Sequence, residues 1–319
     1  MTSARRYFTD YLGMMLSLAL LILIFSLGNK RFFSINTLLA ISNQVPVLAV
    51  MVVGMTFVLV IGGIDLSVGS VMALCGSVLG TALTGWHWPL APALVLALVS
   101  GLAFGAINGA LAVFARVPSF IVTLGTMEIA RGFAYLVTDS RTKYIGNAIE
   151  ALGPALSMGI SLGGVSTVVS VVLGQIGLSR TVFGRYAVGI GTSEETMRIS
   201  GIDTRSTKIA VFAISGFLAA WASILYCARL EAADPNAGAG LELQVIAAAV
   251  IGGASPLGGH GSVVKSFLGV LILAVLNYGL AQIGASEPTK RIIIGAAIIA
   301  SVALDLYRNR PAGHPRIDF

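Results

Sequence analysis

The chain is a succession of long apolar segments separated by short polar ones, from near its first residue to near its last. About 20 apolar residues in a helix, rising 1.5 Å each, cross the roughly 30 Å hydrocarbon core of a bilayer. The pattern therefore predicts a polytopic membrane helix bundle of about ten transmembrane helices, within a range of eight to ten. The predicted spans are residues 11–28, 37–61, 67–85, 90–115, 119–138, 158–178, 209–229, 242–257, 262–284 and 289–306.

Composition supports this interpretation and places the chain in the all-α class. Of the 319 residues, 56% are hydrophobic and 11% charged, whereas soluble domains carry roughly 25% charged residues. The 38 glycines allow helices to approach closely inside a bilayer. The alternating pattern of a membrane β-barrel is absent. Cys75 and Cys227 lie in apolar segments without ligand-like spacing, and we interpret both as packing residues.

The distribution of positive charge predicts the orientation. With the N-terminus inside, the cytoplasmic loops hold the larger share of the 20 Lys and Arg residues, as the positive-inside rule expects. Arg5 and Arg6 precede the first span, and Arg308 and Arg310 follow the last. We therefore predict a multi-pass protein surrounded by membrane lipid, with both termini in the cytoplasm.

Two glycine-rich segments in distant parts of the chain resemble each other. Residues 60–71 are VIGGIDLSVGSV, and residues 250–263 are VIGGASPLGGHGSV. We infer one transmembrane domain over residues 1–319, with two related halves at about 37–139 and 209–306. Interrupted helices at matching positions favour a transport pathway, because loosened backbone at membrane depth must be buried or line a cavity. Loops that join helices at the membrane surface are the alternative.

Polar side chains in or beside the apolar segments are candidates for lining such a pathway. A charge at bilayer depth costs at least about 2.5 kcal/mol, so it is usually paired or turned toward water. Asp65 with Ser67 is also consistent with capping a helix that starts at Leu66. Glu128 and Arg131 are three residues apart and share a helix face, so we expect them to pair. The candidate pathway residues are Asp65, Ser67, Asn108, Thr123, Glu128 and Asn277.

Enzyme motifs are absent from the sequence. His87, His260 and His314 lie far apart, without metal-ligating or nucleophile spacing around them. Residues 259–266 end in the Lys-Ser of a phosphate-binding loop, but Val264 stands where that loop requires glycine. We therefore expect no catalytic residue, no metal and no ATP site in this chain. The net charge of +6 is not arranged as a basic stripe for nucleic acid.

Residues 179–208 form the longest predicted cytoplasmic loop. Thr192 or Ser193 begins a short helix there, with two glutamates in its first turn, Arg198 near its end and Gly201 as its C-terminal cap. A capped helix in such a loop is either a solvated connector or a knob that fits a cytoplasmic partner. The residues alone favour neither.

Several of these segments together resemble the ribose-type permeases of ATP-binding-cassette importers. They are GGIDLSVGS at residues 62–70, PSFIVTLGTMEIARG at 118–132, TVFGRYAVGIG at 181–191 with SGI at 200–202, and VIAAAVIGGAS at 245–255. The resemblance covers nearly the whole chain. It implies the importer permease fold, a bacterial inner-membrane location and import of a monosaccharide, with an autoinducer-type sugar or a nucleoside as alternative cargo.

The same resemblance implies partners. Two permeases, identical or sister chains, join a pair of cytoplasmic ATPase subunits, which use ATP and Mg²⁺, and a periplasmic sugar-binding protein. The permease binds no cofactor and works by alternating access. The residues implied to couple to the ATPase are Gly184, Arg185, Gly189, Gly191, Glu194, Glu195, Arg198, Ser200, Gly201 and Ile202. A secondary transporter or facilitator that acts alone is the main alternative, and a membrane-embedded enzyme is another.

The chain departs from the family pattern at a few positions. Ser193, Glu195 and Thr196 stand where Asn and two alanines are usual, and Pro256 replaces a small or apolar residue. Lys265 is followed by Ser266 where Gly-Thr is usual. These departures concern the detailed fit to the partner and leave the class unchanged.

Overall fold

Helices make up nearly all of the regular structure. The computed structural model describes residues 3–153 and 161–308. Its α-helices are α1 (Ser3–Gly28), α2 (Ile35–Val60), α3 (Val68–Thr84), α4 (Leu90–Phe114), α5 (Ser119–Thr138), α6 (Leu162–Arg180), α7 (Val182–Ile199), α8 (Thr204–Leu230), α9 (Leu241–Ile251), α10 (Val263–Gln282) and α11 (Glu287–Arg308). A short 3₁₀ helix, Gly146–Leu152, lies between α5 and α6. The predicted all-α class is confirmed.

Each predicted span overlaps a helix, and residues 158–160 of the predicted span 158–178 lie outside the described residues. Within the described ranges, seven helices are long and apolar enough to cross a membrane, namely α1, α2, α4, α5, α6, α8 and α10, while α3 and α9 are apolar but shorter. The predicted span 289–306 lies in α11, and α7 is an additional helix in the predicted loop. The predicted span 242–257 is wrong at its end, because α9 stops at Ile251 before the paired glycines.

Contacts between α1 and α10 show which ends of these two helices lie side by side. The Lys265 Nζ lies 5.2 Å from the ring centroid of Tyr11, and Asn29 donates a hydrogen bond to the Gln282 carbonyl. These two helices therefore run parallel. We call the end of the bundle that carries α7 the loop end.

The centre of the bundle is built from α2 and α8. The apolar window of α2 is 89% buried, against 6% for α1, as expected for a helix that is apolar on all sides. Small residues bring α8 close to α4: a Cβ added to Gly216 would lie 2.9 Å from the Gly105 Cα. Since α4 belongs to the first predicted half and α8 to the second, the halves pack as one body. Their relation to each other stays a prediction.

A short antiparallel strand pair lies at the end opposite the loop end. It joins Lys143–Tyr144 to Ala232–Ala233, and Ala233 packs against Gly80 of α3. Strands of two residues leave no alternating pattern in a sequence, so this pair was not predicted.

Candidate functional site

Two interruptions of the helical pattern lie at the loop end. The first break, residues 61–67, separates α2 from α3, and the second break, residues 252–262, separates α9 from α10. Most of their residues are buried or half-buried. Their backbone N–H and C=O groups therefore need partners from outside regular structure.

The first break is hydrogen-bonded to side chains of α5. The Ile64 N–H donates to the Ser119 Oγ over 3.0 Å, and the Leu66 N–H donates to the Thr123 Oγ1 over 3.1 Å. The Thr123 hydroxyl in turn donates to the Ile64 carbonyl over 3.1 Å. Two hydroxyls one turn apart on α5 thus replace helical hydrogen bonds that this segment lacks.

The carboxylate of Asp65, only 1% exposed, is enclosed by donors. Its Oδ1 accepts from the Ser67 N–H at 3.0 Å and the Ser67 hydroxyl at 2.6 Å, and its Oδ2 accepts from the Ser215 hydroxyl of α8 at 2.9 Å. The buried Asn108 of α4 donates to the Ser67 Oγ at 2.8 Å. Burial of a carboxylate is costly unless it is hydrogen-bonded, so this Asp65 cluster fastens α4 and α8 to the first break.

Four of the six candidate pathway residues meet at this break. They are Asp65, Ser67, Asn108 and Thr123. The predicted capping of a helix from Leu66 is wrong in position, because α3 begins at Val68. Asp65 binds the N–H of Ser67 and so closes a turn before the helix starts. These side chains hydrogen-bond to other groups of the protein, which indicates that they brace the break.

Glu128 and Asn277 lie elsewhere. Glu128 is exposed, halfway along α5. Its predicted pairing with Arg131 is wrong, because the Arg131 Nη1 donates to the carbonyls of Pro235 and Ala237 at 2.6 and 2.8 Å. The loop after the second strand offers Arg131 two fixed acceptors, whereas Glu128 points outward. Asn277 is half-buried on α10, which packs mainly against α1, α2, α6, α9 and α11.

The second break is held mainly by backbone geometry. The Ser255 N–H donates to the His260 carbonyl over 3.1 Å, which closes a loop inside the break. Gly253, Gly258 and Gly259 have φ angles of 80°, 89° and 82°, in the left-handed region that glycine adopts without a steric penalty. The glycines in this part of the sequence are therefore required by its backbone conformation.

Three side chains that hold the breaks were not predicted. Ser119 and Ser215 bind the first break, and the Gln175 Oε1 of α6 accepts from the Ser262 hydroxyl and the Val264 N–H at 3.1 and 3.2 Å. The available signal was an isolated polar residue in an apolar helix. A single sequence cannot distinguish such a residue from one that hydrogen-bonds within its own helix.

The helix α7 has two parts joined at one extended residue. Ser193 has φ −163° and ψ 99°, and its Oγ accepts from the Thr196 N–H at 3.2 Å. The helix start predicted at Thr192 or Ser193 is therefore confirmed at Ser193. We call residues 194–199 the loop helix. The earlier part of α7, residues 182–192, was expected to be loop and is helical.

The loop helix ends in a glycine cap. Gly201 has a φ of 78°, its N–H donates to the Arg198 carbonyl at 3.0 Å, and the Ile202 N–H donates to the Met197 carbonyl at 3.1 Å. This is the Schellman arrangement, with Ser200 as the last residue before the glycine. The capping role predicted for Gly201 is confirmed.

An ion pair ties the base of the loop helix to α8. The Glu194 carboxylate accepts from the Lys208 Nζ at 2.9 Å and from the Thr204 hydroxyl at 3.0 Å. Partial burial opposes ionisation, but the hydrogen bond and charge of Lys208 outweigh it and hold the pKa of Glu194 below its usual range. Glu195 and Ile199 are exposed, the latter by 79%. The loop helix is thus anchored at its base and open on its outer side.

The first part of α7 folds back on the bundle. A Cβ on Gly184 would meet the carbonyl of Leu178 in α6, so these helices touch through their backbones. Gly189 faces the Met197 side chain of the loop helix, while Arg185 is exposed. Of the candidates in this segment, the glycines therefore pack and the arginine faces outward.

Within the described residues, no group of three His, Cys, Asp or Glu side chains lies together as a metal ligand set. Cys75 of α3 and Cys227 of α8 are buried free thiols. The Cys227 Sγ would lie 3.1 Å from a Cβ added to Gly76, which agrees with a packing role.

A bundle of apolar helices with two buried breaks and an exposed, anchored helix at the same end has the architecture of a multi-pass membrane permease. A family model described as the permease component of the branched-chain amino acid transport system matches residues 37–302. The chain belongs to this permease family, in its ribose-type branch of ATP-binding-cassette importers.

Relatives span the chain almost completely. It is 39% identical over 314 residues to the ribose import permease protein RbsC of Escherichia coli (strain K12), covering 95% of this chain and 97% of that protein. It is 34% identical to the D-allose transport system permease protein AlsC of the same strain, covering 93% and 92%. The autoinducer 2 import system permease protein LsrC of Photorhabdus luminescens is 31% identical, covering 88% and 85%. No solved structure matches.

Proposed function

We propose that this chain is the membrane-spanning permease subunit of an ATP-binding-cassette importer that moves a monosaccharide across the bacterial inner membrane by alternating access. A separate ATPase subunit binds ATP and Mg²⁺ and docks at the loop end, and this chain binds no cofactor. A periplasmic sugar-binding protein delivers the substrate at the opposite end. Both termini then lie in the cytoplasm.

The observation that carries this proposal is the placement of the loop helix. It is fixed at its base by the Glu194–Lys208 pair and closed at its end by Gly201, and it begins three residues after Gly191, which packs against the second break. A large apolar side chain, Ile199, is 79% exposed on it next to the exposed Arg198. Such a rigid projection fits a cytoplasmic partner better than it fits a solvated connector.

Glu128 supports a pathway along α5. It is exposed at the middle of a 20-residue apolar helix, and Gly125 and Gly132, about one turn away on either side, have open space where a Cβ would stand. A carboxylate facing lipid at bilayer depth costs several kcal/mol. This face of α5 therefore meets water and protein, which in an importer is the surface shared with a second permease, identical or sister. Sugar hydroxyls are suitable donors to the Glu128 carboxylate there.

Reconstitution tests the proposal. The chain is co-purified with its partner ATPase and binding protein, inserted in liposomes and supplied with labelled ribose, D-allose and autoinducer 2 in turn. One of these sugars should raise ATP hydrolysis and accumulate only when ATP is present. Uptake by the chain alone would instead identify a facilitator, and chemical conversion of the sugar would identify an enzyme.

Docking at the loop helix has its own test. Replacing Arg198 with Glu reverses an exposed charge and leaves Glu194, Lys208 and Thr204 in place, although it removes the attraction between Arg198 and Glu194. It should reduce co-purification of the ATPase by about tenfold if this face forms a charged contact. Arg116→Glu, at an exposed arginine between α4 and α5 that is outside the set of coupling residues, shows how far the loss is specific to the loop helix. Undiminished assembly and coupling in R198E would contradict docking at this site.

The pathway along α5 is tested by Glu128→Gln. The variant keeps the shape of the side chain, so it should fold normally and lose most sugar uptake. Glu150→Gln, at an exposed residue of the 3₁₀ helix, is the control and should transport normally. Normal uptake by E128Q would remove Glu128 from the pathway.

A further inference from the structure

The two breaks and α7 touch one another through backbone atoms at one point. The Gly259 N–H of the second break donates to the carbonyl of Val60, the last residue of α2, over 2.9 Å. A Cβ on Gly191 of α7 would collide with that same Val60 carbonyl and with the Gly259 nitrogen. We call Val60, Gly191 and Gly259 the three-way junction.

Neighbouring residues tighten the junction. A Cβ on Gly258 would lie 2.8 Å from the Gly191 carbonyl and 2.9 Å from the Gly62 nitrogen. A Cβ on Gly259 would lie 3.0 Å from the Thr192 Oγ1. At the junction, backbone touches backbone, and no side chain lies between α7 and the breaks. A movement of α7 therefore cannot be absorbed by a change of side-chain rotamer.

The junction lies immediately before the loop helix. Gly191 is followed by Thr192 and then by the extended Ser193, where the loop helix begins. The Glu194–Lys208 ion pair holds the first residue of the loop helix to α8. Only two residues, Thr192 and Ser193, therefore separate the loop helix from the junction, so a movement of the loop helix is transmitted to the junction over a short distance.

We propose that Gly191 couples the loop helix to both breaks, so that the first part of α7, the end of α2 and the second break move as one unit during transport. This inference rests on the proposed function, because the displacement comes from the ATPase. Gly191 acts by position and contacts neither sugar nor ATP. Because a Cβ at residue 191 would collide with the backbones of Val60 and Gly259, any side chain there must push α7 away from α2 and from the second break.

The first test is Gly191→Ala in the reconstituted importer. The complex should assemble and hydrolyse ATP, while sugar taken up per ATP hydrolysed falls at least tenfold. The matched control is Gly177→Ala on α6, where a Cβ would lie in ordinary contact, 3.5 Å from the Phe57 ring. Wild-type uptake per ATP in G191A would overturn the role of Gly191. If the wild-type complex showed no ATP-driven sugar uptake, that result would instead overturn the proposed function itself.

A second test does not depend on the stability of G191A. Thr192 and His260 are both exposed and flank the junction, and the native Cys75 and Cys227 are buried, so Thr192→Cys with His260→Cys gives two reactive thiols. A short, reducible bis-thiosulfonate reagent then bridges α7 to the second break. If the junction moves as a unit, the bridged protein keeps at least half of its ATP-driven uptake. Loss of uptake on bridging, restored by reducing agent and absent in the single-cysteine variants, would show that the junction opens and would overturn the inference.

Discussion

The same four residues, Val-Ile-Gly-Gly, lead into both breaks, at 60–63 and 250–253, and yet the two breaks are held in different ways. The first break is braced by polar side chains from three other helices, around the buried carboxylate of Asp65. The second break depends on its own backbone, with three glycines at φ between 80° and 89°. Similar sequences therefore produce one segment fixed from outside and one fixed from within.

The difference matters for motion. A segment whose hydrogen bonds reach α4, α5 and α8 must move with those helices or lose several bonds at once. A segment closed on itself, through the Ser255 N–H and the His260 carbonyl, can shift as a small rigid loop. We infer that the first break passes a displacement of the junction on to α4, α5 and α8, whereas the second break follows the junction as a small rigid loop.

The strongest test of this contrast is Asp65→Ala. The change leaves the Ser67 N–H and the Ser215 hydroxyl buried without an acceptor, so it should lower the free energy of unfolding by about 3 kcal/mol. The apparent thermal midpoint in detergent should fall by about 6 °C. Asp65→Asn, which preserves shape but not the acceptor pair, should lose less.

The control for Asp65 is Glu150→Ala, an exposed carboxylate whose loss should change the stability by no more than about 0.5 kcal/mol. A D65A protein with a wild-type midpoint and no uptake would contradict the bracing role. Asp65 would then belong to the pathway instead.

The second break should respond to glycine replacement. Gly258→Ala combines a left-handed φ with contacts of 2.8 and 2.9 Å to the Gly191 carbonyl and the Gly62 nitrogen, so it should cost about 2–3 kcal/mol. Gly253→Ala has a similar φ but open space around its Cβ, and should cost only about 1 kcal/mol. The difference between their unfolding midpoints isolates close packing from backbone strain. Equal losses would mean that packing at Gly258 contributes nothing.

Gln175→Leu tests the one side chain of α6 that reaches the second break. It removes an acceptor from the Ser262 hydroxyl and the Val264 N–H while keeping much of the volume, so it should cost about 1–2 kcal/mol. Chemical unfolding in detergent measures the loss. If Q175L destabilised the protein as much as D65A does, the second break would depend on side chains as strongly as the first, and the contrast between the breaks would fail.

The sequence was sufficient for the fold and for part of the site. Apolar length predicted the α-helices other than α7, and the paired glycines predicted both breaks, because these features are local. Capping chemistry placed Ser193 and Gly201 for the same reason. Residues 182–192 of α7, which were expected to be loop, were missed. The contacts around Asp65 beyond its neighbour Ser67 were not predicted: Asn108, which binds Ser67, was only a candidate pathway residue, and Ser215 lies 150 residues away on α8.

The failure at Glu128 and Arg131 has a physical reason. Spacing along a helix shows which side chains share a face, but it does not show what another segment offers to that face. Two carbonyls of the loop after the second strand capture Arg131. An ion pair predicted from residue spacing alone takes no account of backbone carbonyls, because the sequence does not show which segment packs against the helix.

The loop helix is attached in a third way, by an ion pair. Removing this ion pair has the smallest expected effect on the free energy of unfolding. The Glu194 side chain is 42% exposed, so solvent screens the Lys208 contact and Glu194→Gln should cost about 0.3–0.5 kcal/mol at neutral pH. Because the folded pKa lies below the unfolded value of about 4.3, the stabilisation is present above that pH and is lost as the pH falls through the folded pKa. The midpoints of wild type and E194Q should therefore converge as the solution is acidified below the unfolded pKa, whereas E195Q, at an exposed neighbour, follows wild type throughout. A gap between wild type and E194Q that persists or widens in acid would mean that the ion pair is not what anchors the loop helix, and Thr204 would be left as its attachment to α8.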